Sequence, residues 1–304
     1  MKKYSVETRL DGRFSELTTF GCGGKIKIVI YPDSEKKLVK SVRLFNKLKV
    51  TYCILGRGSN VLASDDDYDG VVIVTTKMKA FRIKGRTVYA FAGASTVTVA
   101  NELKNRGLTG GEFLACLPAT VGGAVVTNAG CFGQQMNGIV RQVKVLKGDK
   151  IRRLSLKLCQ FGKRKSVFSQ SNDFVILSVK MRFAYSTPDE VSRLINEMRA
   201  KKSATQPLNF RSAGSALYHD KVAVSRLLDE AGLKGYTVGS AQVSTKHAGF
   251  VVNLDKATSS DIYLVIRHMQ ATLRKRFGLD AKIEIRLINF SQDTKDDDDF
   301  FTGS

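Results

Sequence analysis

Ser215 is the serine whose surroundings most suggest chemistry. It ends the segment SAGS within residues 209–220, and the polar run VSTKHAGFVVN follows at residues 243–253. Because Gly214 lacks a side chain, a ligand can approach the backbone closely, and Ser215 then presents a hydroxyl group to it. Serine and glycine also favour ordinary turns. The segment alone therefore fits either a ligand contact or a turn.

Two glycine-rich segments could bring the main chain close to a bound molecule. Residues 56–60, GRGSN, follow a short apolar run, so their backbone N–H groups could hold a phosphate-bearing ligand. Their spacing differs from the Rossmann pattern G-x-G-x-x-G, and that fold is not inferred. Residues 118–130, PATVGGAVVTNAG, are crowded with small side chains. A tight turn with a packing surface would explain Gly122 and Gly123 but not the later cluster at residues 128–130.

In their order along the chain, these segments resemble the UDP-N-acetylenolpyruvoylglucosamine reductases, the MurB family of peptidoglycan precursor synthesis. The resemblance runs from about residue 17 to residue 288 and implies an FAD-dependent oxidoreductase that uses NADPH on a UDP-sugar substrate. The segments that carry it are LGRGSNVLASDDDYDGVVIV (55–74), FLACLPATVGGAVVTNAGCFG (113–133), FGKRKSVF (161–168), SAGS (212–215) and IEIRLI (283–288).

The resemblance also implies roles for individual residues. It makes Ser215 the proton donor to an enolate, Arg164 the cation that polarises the substrate carboxylate, and Glu284 an orienting group. Without it, Arg164 would be a surface residue of a basic loop and Glu284 a solvated residue of a final strand. The implied FAD-binding residues are Gly56, Arg57, Gly58, Ser59, Asn60, Pro118, Ala119, Thr120, Gly122, Gly123, Asn128, Ala129 and Gly130. The implied substrate-binding residues are Lys163, Tyr218 and His247.

The chain departs from the family pattern at some positions. Lys163 stands where the family has tyrosine, and Tyr218 replaces a lysine that helps to hold anionic groups. These exchanges leave open an FAD-binding paralogue with an altered substrate, or an oxidase of the same fold. The glycine-rich loops contain no HxxxC-type tether for covalent flavin, which disfavours the oxidase. Residues 215–284 leave no room for the extra tyrosine segment of the longer family form, so the chain resembles the shorter form.

The expected fold class is α+β: a two-lobed FAD-binding domain of the PCMH or vanillyl-alcohol-oxidase type, plus a C-terminal α+β substrate domain. We place the first lobe at residues 1–75, the second at 76–185, the substrate-binding domain at 186–290 and a disordered acidic tail at 291–304. Strands are predicted at residues 25–31, 50–55, 87–94, 173–183, 249–254 and 283–288, and helices after Ser34, at 95–106, from Pro188, at 222–231 and from about 260 to Gly278.

Composition restricts the function classes. The net charge of +21 makes a basic nucleic-acid-binding protein an alternative, although the densest basic clusters lack interleaved aromatic residues. Five scattered cysteines without a CxxC pair, and only three histidines, predict reduced thiols in the cytoplasm and no metal site. No apolar run approaches the ~20 residues that span a bilayer, and the first residues do not form a signal peptide. We therefore expect a cytoplasmic monomer with no specific nucleic-acid partner and no membrane association.

Overall fold

The computed structural model describes residues 5–290, so the predicted acidic tail at 291–304 lies outside the described residues. The helices are α1 (Phe14–Leu17), α2 (Glu35–Leu48), α3 (Thr96–Asn105), α4 (Val121–Val126), α5 (Met136–Ile139), α6 (Val167–Gln170), α7 (Pro188–Thr205), α8 (Val224–Glu230) and α9 (Ser259–Phe277). Short 3-10 helices occur at Thr75–Lys77, Glu112–Cys116 and Lys157–Cys159.

The strands complete the secondary structure. They are β1 (Glu7–Arg13), β2 (Lys25–Tyr31), β3 (Tyr52–Leu55), β4 (Val61–Ala63), β5 (Tyr68–Val74), β6 (Phe81–Lys84), β7 (Thr87–Phe91), β8 (Leu108–Thr109), β9 (Gly130–Cys131), β10 (Gln134–Gln135), β11 (Val140–Lys147), β12 (Lys150–Ser155), β13 (Phe174–Arg182), β14 (Ala184–Tyr185), β15 (Leu217–Tyr218), β16 (Thr237–Val238), β17 (Ala241–Val243), β18 (Val251–Asn253), β19 (Lys282–Ile283) and β20 (Arg286–Ile288).

The chain packs into two compact units, each built from separate stretches of sequence. Of the described residues, the first unit contains residues 5–10, residues 28–57 and residues 70–202. The second contains residues 11–27, residues 58–69 and, as far as the structure describes the chain, residues 203–290. The division into lobes at residues 75 and 185 remains a prediction.

The first unit is organised around a five-stranded antiparallel sheet with the strand order β12-β11-β13-β7-β6. Helices α3, α4 and α7 contribute apolar side chains to the same core, including Val99, Val125 and Val191. A second core of this unit lies around α2 and contains Leu38, Val42 and residues of β5. Strands β3 and β5 pair in parallel there. The position of α4 is fixed because its apolar side chains are buried in the first of these two cores, against the five-stranded sheet.

The second unit has a long helix and several small sheets. Helix α9 buries Ile262, Ile266, Met269 and Leu273, which pack with apolar residues of β17 and β18. The strand order of the three-stranded sheet is β16-β17-β18. Strand β15 pairs with β19, and β4 pairs in parallel with β20.

Local signals place the helix ends where the sequence predicts them. The side chain of Ser34 caps α2 by accepting a hydrogen bond from the Lys37 N–H. Thr187 Oγ1 accepts a hydrogen bond from the Glu190 N–H at the start of α7, at 3.3 Å. Helix α9 ends at Gly278, whose φ of 60° is left-handed. These predicted helices are confirmed.

Two local predictions were less accurate. Residues 118–130 contain a capped helix, α4, where a turn was one expectation. The final strand expected at residues 283–288 is interrupted, because Lys282–Ile283 pairs with β15 whereas Arg286–Ile288 pairs with β4. Glu284 lies in the interruption. Pairing of one short segment with two different strands explains the interruption.

Candidate active site

Helix α4 begins in the small-residue segment predicted to bind the flavin. The Thr120 side chain is buried, and its Oγ1 accepts a hydrogen bond from the Gly123 N–H at 3.2 Å. The backbone N–H groups of Val121 and Gly122 donate to the carbonyls of Ala94 and Ala92, both at 2.8 Å. These bonds anchor the first turn of α4 to the chain that follows β7.

The two adjacent glycines of α4 have different surroundings. A Cβ on Gly122 would lie 2.9 Å from the Ala92 Cβ and 3.0 Å from its carbonyl oxygen, so this glycine is needed for close packing. Gly123 is exposed, and a Cβ there would approach only Thr120 Oγ1, at 3.2 Å. The backbone at Gly123 is therefore open to a ligand.

The residues before α4 are held by one buried side chain that the sequence analysis did not single out. Thr96 is fully buried, and its Oγ1 lies 2.6 Å from the Leu117 carbonyl oxygen and 3.1 Å from that of Ala119. The Thr96 N–H also donates to the Ala119 carbonyl, at 3.1 Å. Thr96 thus fixes the path of Pro118 and Ala119.

The loop at residues 56–60 uses its glycines to approach other parts of the chain closely. In the first unit, a Cβ on Gly56 would lie 2.4 Å from Thr120 Oγ1. In the second unit, Gly58 has a φ of +63°, and its Cβ would lie 2.1 Å from the Leu17 carbonyl oxygen. Of the other predicted FAD-binding residues here, Arg57 is exposed, whereas Ser59 and Asn60 are half-buried.

Arg164 lies in a tight turn of the first unit. Gly162 and Lys165 exchange two backbone hydrogen bonds, of 2.9 and 3.3 Å. Arg164 has a φ of 54°, a left-handed conformation that is uncommon for a residue with a side chain. Its Nη1 donates to the carbonyl of Gly130 at 3.0 Å. The guanidinium group is therefore positioned against the end of the small-residue segment.

Asn128 holds the Arg164 turn from the same segment. It is fully buried and has a φ of 48°. Its Nδ2 donates to the Gly162 carbonyl at 2.9 Å and to Gln135 Oε1 at 3.3 Å, and its Oδ1 accepts from the Asn137 N–H at 2.9 Å. The side chain predicted to bind FAD is thus engaged with the protein, and its neighbours Ala129 and Gly130 follow it into β9.

Ser166 completes this arrangement and was not among the predicted site residues. It is buried, and its Oγ donates to the Val126 carbonyl at the end of α4, at 2.6 Å. The same oxygen accepts a hydrogen bond from the Phe168 N–H at the start of α6. A serine followed by an apolar run is an N-cap pattern that could have revealed it.

Ser215 lies in a short extended pairing of the second unit. It forms an isolated antiparallel bridge with Phe250, and the next residue, Ala216, donates its N–H to the Gly249 carbonyl at 2.8 Å. Ser215 is half-buried. Gly214 has a φ of +83°, which turns the chain just before the serine. Gly214 thus bends the chain just before Ser215, whose own backbone lies in the bridge, and this arrangement fits both the turn and the ligand contact that the sequence left open.

The backbone of Glu284 is hydrogen-bonded to the residue that follows Ser215 in the second unit. Its N–H donates to the Ala216 carbonyl at 2.8 Å, and its carbonyl accepts a hydrogen bond from Asn60 Nδ2 at 3.0 Å. The side chain is half-buried. The structure therefore brings the backbones of Ser215 and Glu284 together, whereas Arg164 belongs to the first unit.

The three predicted substrate-binding residues differ in exposure. Lys163 is exposed in the turn of the first unit, whereas Tyr218 and His247 are half-buried in the second. Tyr218 pairs with Lys282 across β15 and β19. His247 Nδ1 accepts the Gly249 N–H at 3.1 Å, and its ring meets that of Phe250 edge-on at 4.8 Å. Burial lowers the pKa of His247, so the neutral imidazole is favoured.

Comparisons with known proteins identify the family. A family model described as an FAD binding domain matches residues 26–155, and one described as the C-terminal domain of UDP-N-acetylenolpyruvoylglucosamine reductase matches residues 206–288. A UDP-N-acetylenolpyruvoylglucosamine reductase from Clostridium botulinum (strain Alaska E43 / Type E3) is 33% identical over 280 residues, which cover 91% of this chain and 92% of the relative. The chain belongs to the UDP-N-acetylenolpyruvoylglucosamine reductase family.

Further relatives of this family agree. The reductase of Limosilactobacillus reuteri (subsp. reuteri, strain JCM 1112) is 32% identical over 285 residues, 93% of this chain and 95% of the relative. The solved structure of the Thermus caldophilus enzyme, named MurB, matches with a TM-score of 0.79 at 28% identity, covering 93% of this chain and 99% of that one. The predicted fold class, a PCMH-type FAD-binding domain followed by the family's C-terminal domain, is confirmed.

Two further features of the described residues concern membrane association and metal binding. Within residues 5–290, no helix is both long and apolar enough to cross a membrane. In the same part of the chain, no group of three or more histidine, cysteine, aspartate or glutamate side chains could hold a metal ion.

Proposed function

We propose that this chain reduces UDP-N-acetylglucosamine enolpyruvate to UDP-N-acetylmuramate, with FAD as cofactor and NADPH as reductant. This is a step of peptidoglycan precursor synthesis. Membership of the reductase family carries the proposal. The anchoring of Glu284 to the residue after Ser215 supports the roles assigned to the two side chains.

The small-residue segment fits a flavin. Gly123 is exposed, and a Cβ there would approach only Thr120 Oγ1, at 3.2 Å, so the backbone is accessible to a large planar or phosphate-bearing ligand. Thr120 and Thr96 hold this stretch in place. We assign FAD contacts to residues 56–60 and 118–130, with Asn128 acting as the clamp of the Arg164 turn. When bound, FAD supplies hydride-transfer chemistry between NADPH and the enolpyruvyl double bond.

Ser215 is proposed to supply the proton. After hydride reaches the alkene carbon of the substrate, the adjacent carbon carries enolate character and is basic enough to take a proton from a hydroxyl group. The Ser215 Oγ–H bond breaks and a C–H bond forms at that carbon. The left-handed turn at Gly214 and the bridge to Phe250 fix the serine backbone, which limits the orientations that the hydroxyl group can adopt.

Arg164 and Glu284 are proposed to act on the substrate carboxylate and its surroundings. A guanidinium group keeps its positive charge and can bind a carboxylate with two parallel hydrogen bonds, which stabilises negative charge developing there. Glu284 orients the reacting system from a backbone held at both its N–H and its carbonyl. Lys163, Tyr218 and His247 are assigned to substrate binding. In this proposal, positive residues such as Lys163 compensate for the lysine that Tyr218 replaces.

The proposal includes the organisation and setting of the protein. We assign residues 1–75 and 76–185 to the two FAD-binding lobes and residues 186–290 to substrate binding. The protein acts as a cytoplasmic monomer without a specific nucleic-acid partner. Size-exclusion chromatography with light scattering tests the monomer, since a mass of about twice the chain's 33.5 kDa would contradict it.

The decisive experiment separates the two half-reactions by stopped-flow absorbance of the flavin. Ser215→Ala should bind FAD and accept hydride from NADPH at the wild-type rate, because that step needs no serine proton. Reoxidation by UDP-N-acetylglucosamine enolpyruvate should slow by ~10²–10⁴-fold, the usual cost of losing a positioned general acid. Arg164→Ala and Glu284→Ala should impair the same step.

Ser212→Ala is the matched control, since it removes a hydroxyl group from the same SAGS segment and should reoxidise normally. If Ser215→Ala reoxidises at the wild-type rate, Ser215 is a turn residue and the assigned mechanism fails. If the wild-type protein binds FAD but is not reoxidised by this substrate, the chain is instead a flavin-binding paralogue.

A further inference from the structure

A cleft in the first unit is lined by residues that have no assigned role in binding FAD or the substrate. Its volume is about 500 Å³, and pockets that bind small molecules commonly measure ~300–1,000 Å³. The lining includes three arginines, Arg86, Arg141 and Arg182. Among the described residues that line it, none is an aspartate or a glutamate. The cleft therefore has the charge of an anion-binding site.

The five-stranded sheet brings the three arginines to one end of the first unit. Arg182 is the last residue of β13 and pairs with Thr87, the first residue of β7. Arg86 precedes Thr87, and its carbonyl accepts a hydrogen bond from the Phe183 N–H at 2.9 Å. Arg141 lies near the start of β11, on the other side of β13, where the pairing of the two strands is irregular. Since adjacent strands lie only about 4.8 Å apart, the three positive charges are neighbours.

The guanidinium groups are available to a ligand. Arg86 and Arg182 are exposed, and neither side chain forms an ion pair or a hydrogen bond with another residue of the described chain. Arg141 Nη1 donates to the carbonyls of Val140 at 2.9 Å and Gly138 at 3.1 Å. These two bonds orient the Arg141 side chain, and because a guanidinium group has several further N–H donors, it can still bind an anion.

Another wall of the cleft is fixed by a buried carboxylate. Glu112 Oε1 accepts hydrogen bonds from Thr109 Oγ1 at 2.7 Å and from the Gly110 N–H at 3.0 Å, and Oε2 lies 3.0 Å from the same N–H. Thr109 and Gly110 both line the cleft. A Cβ on Gly110 would meet nothing within 4 Å, so the backbone there is open. The Glu112 carboxylate is thus engaged with this wall, and the arginines keep their charge for a ligand.

Gln134 adds a hydrogen-bond acceptor to the lining. Its Oε1 is buried and accepts no hydrogen bond from the residues that the structure describes. A buried acceptor without a donor is unfavourable. Rotation of the side chain toward the cleft would allow a hydroxyl group of a ligand to supply the donor. The lining therefore suits a molecule that carries both negative charge and hydroxyl groups.

We propose that this cleft binds the diphosphate group of a small metabolite. Guanidinium groups match phosphate oxygens with paired hydrogen bonds. A diphosphate offers several charged oxygens to the three arginines, whereas a single carboxylate offers only two. A nucleoside diphosphate also carries the ribose hydroxyl groups that Gln134 requires, so we expect it to bind more tightly than free pyrophosphate.

Calorimetric titration of the FAD-loaded, full-length protein with ADP tests the proposal. The wild type should bind ADP. Arg86→Ala and Arg182→Ala should each weaken binding by about tenfold or more, the usual loss when a hydrogen bond between charged groups is removed. Because both side chains are exposed and make no contacts that hold the fold, the variants should fold normally. Absence of ADP binding to the wild type would overturn the proposal.

Arg152→Ala is the matched control. Arg152 is an exposed arginine of β12 in the same sheet, and it does not line the cleft. Its removal lowers the net charge by the same amount, so ADP affinity should change by less than about twofold. Equal weakening in all three variants would overturn the proposal, because the general positive charge would then attract ADP. Wild-type affinity in Arg86→Ala and Arg182→Ala would also overturn it, since ADP would bind elsewhere.

Two further ligands identify the group that the cleft recognises. Pyrophosphate should compete with ADP, whereas adenosine, which lacks the diphosphate, should not. Competition by adenosine as strong as that by pyrophosphate would overturn the proposal. Tighter binding of ADP than of pyrophosphate would assign the cleft to nucleoside diphosphates, and equal binding would assign it to free pyrophosphate. Either result supports a diphosphate site.

Discussion

The N–H of Glu284 donates a 2.8 Å hydrogen bond to the carbonyl of Ala216, the residue that follows Ser215. Ala216 in turn donates its own N–H to Gly249, which also donates a hydrogen bond to His247 Nδ1. Three predicted site residues from distant parts of the sequence are therefore connected through one alanine. Because these links use the backbone, substitutions of the three side chains should change the chemistry more than the local fold.

Flavin content should respond to a side chain at Gly123. We expect Gly123→Ala to lower the FAD content of the purified protein, since the methyl group enters the space assigned to the cofactor. The apoprotein should be as stable as the wild type or more so, because alanine favours a helix by ~1 kcal/mol over glycine. Absorbance spectra and urea unfolding measure the two effects.

Gly138→Ala is the control, because Gly138 also lies in a short helix with nothing within 4 Å of its Cβ position. It should retain FAD. Equal flavin loss in both variants would contradict the assignment of the α4 segment. Gly58→Val is unsuitable as a test of flavin binding, although Gly58 lies in a glycine-rich loop that is assigned to FAD. Its Cβ would lie 2.1 Å from the Leu17 carbonyl oxygen, so lower stability would accompany any loss of flavin.

Asn128→Ala should disorganise the Arg164 turn. The change leaves the Gly162 carbonyl and the Asn137 N–H without their partner, which should lower the free energy of unfolding by roughly 2–4 kcal/mol. Substrate-dependent reoxidation of the flavin should slow as well. Gln135→Ala removes only the 3.3 Å bond from Asn128 and should cost less than about 1 kcal/mol. Urea unfolding measures the stability, and stopped-flow absorbance measures the flavin reoxidation. Equal results for Asn128→Ala and Gln135→Ala would refute the role of Asn128 in holding the turn.

The second unit should lose stability in mild acid through His247. Burial lowers the folded-state pKa of His247 below its ordinary value of 6.5. Between these two pKa values the unfolded chain binds more protons, so the free energy of unfolding falls as the pH falls. His247→Gln should remove part of this slope.

Chemical unfolding between about pH 7.5 and about pH 5.5 measures the slope. His268→Gln provides a comparison and should also reduce the slope, since burial lowers the pKa of His268 as well. The ring of His268 stacks on Tyr236 at 3.9 Å. An unchanged slope in His247→Gln would show that this residue does not contribute.

The salt dependence of DNA binding should show whether the net charge of +21 belongs to an enzyme or to a nucleic-acid-binding protein. We expect weak DNA binding that disappears at physiological salt, because non-specific contacts to about six phosphates lose ~10³-fold in affinity over that range. Fluorescence anisotropy with a labelled duplex measures this. A tight complex at physiological salt would favour the nucleic-acid-binding alternative.

Local signals predicted much of the fold. Ser34, Pro188 and Gly278 mark helix ends through their own side chains or backbone freedom, so the sequence contains the information. The helix at Val121–Val126 was less predictable, since its two glycines disfavour helix and packing against Ala92 decides the outcome. The break at Glu284 depends on pairing with two distant strands.

The parallel pairing of β4 with β20 has a consequence for synthesis of the protein on the ribosome. Val61–Ala63 cannot pair until Arg286–Ile288 has been translated, more than two hundred residues later. The first unit, by contrast, has all its segments once residue 202 has emerged. Nascent chains should therefore acquire protease resistance in two stages, and chains stopped before residue 282 should leave Gly58–Asp69 without its strand partner. In this family member, the order of translation sets the order in which the two units can form.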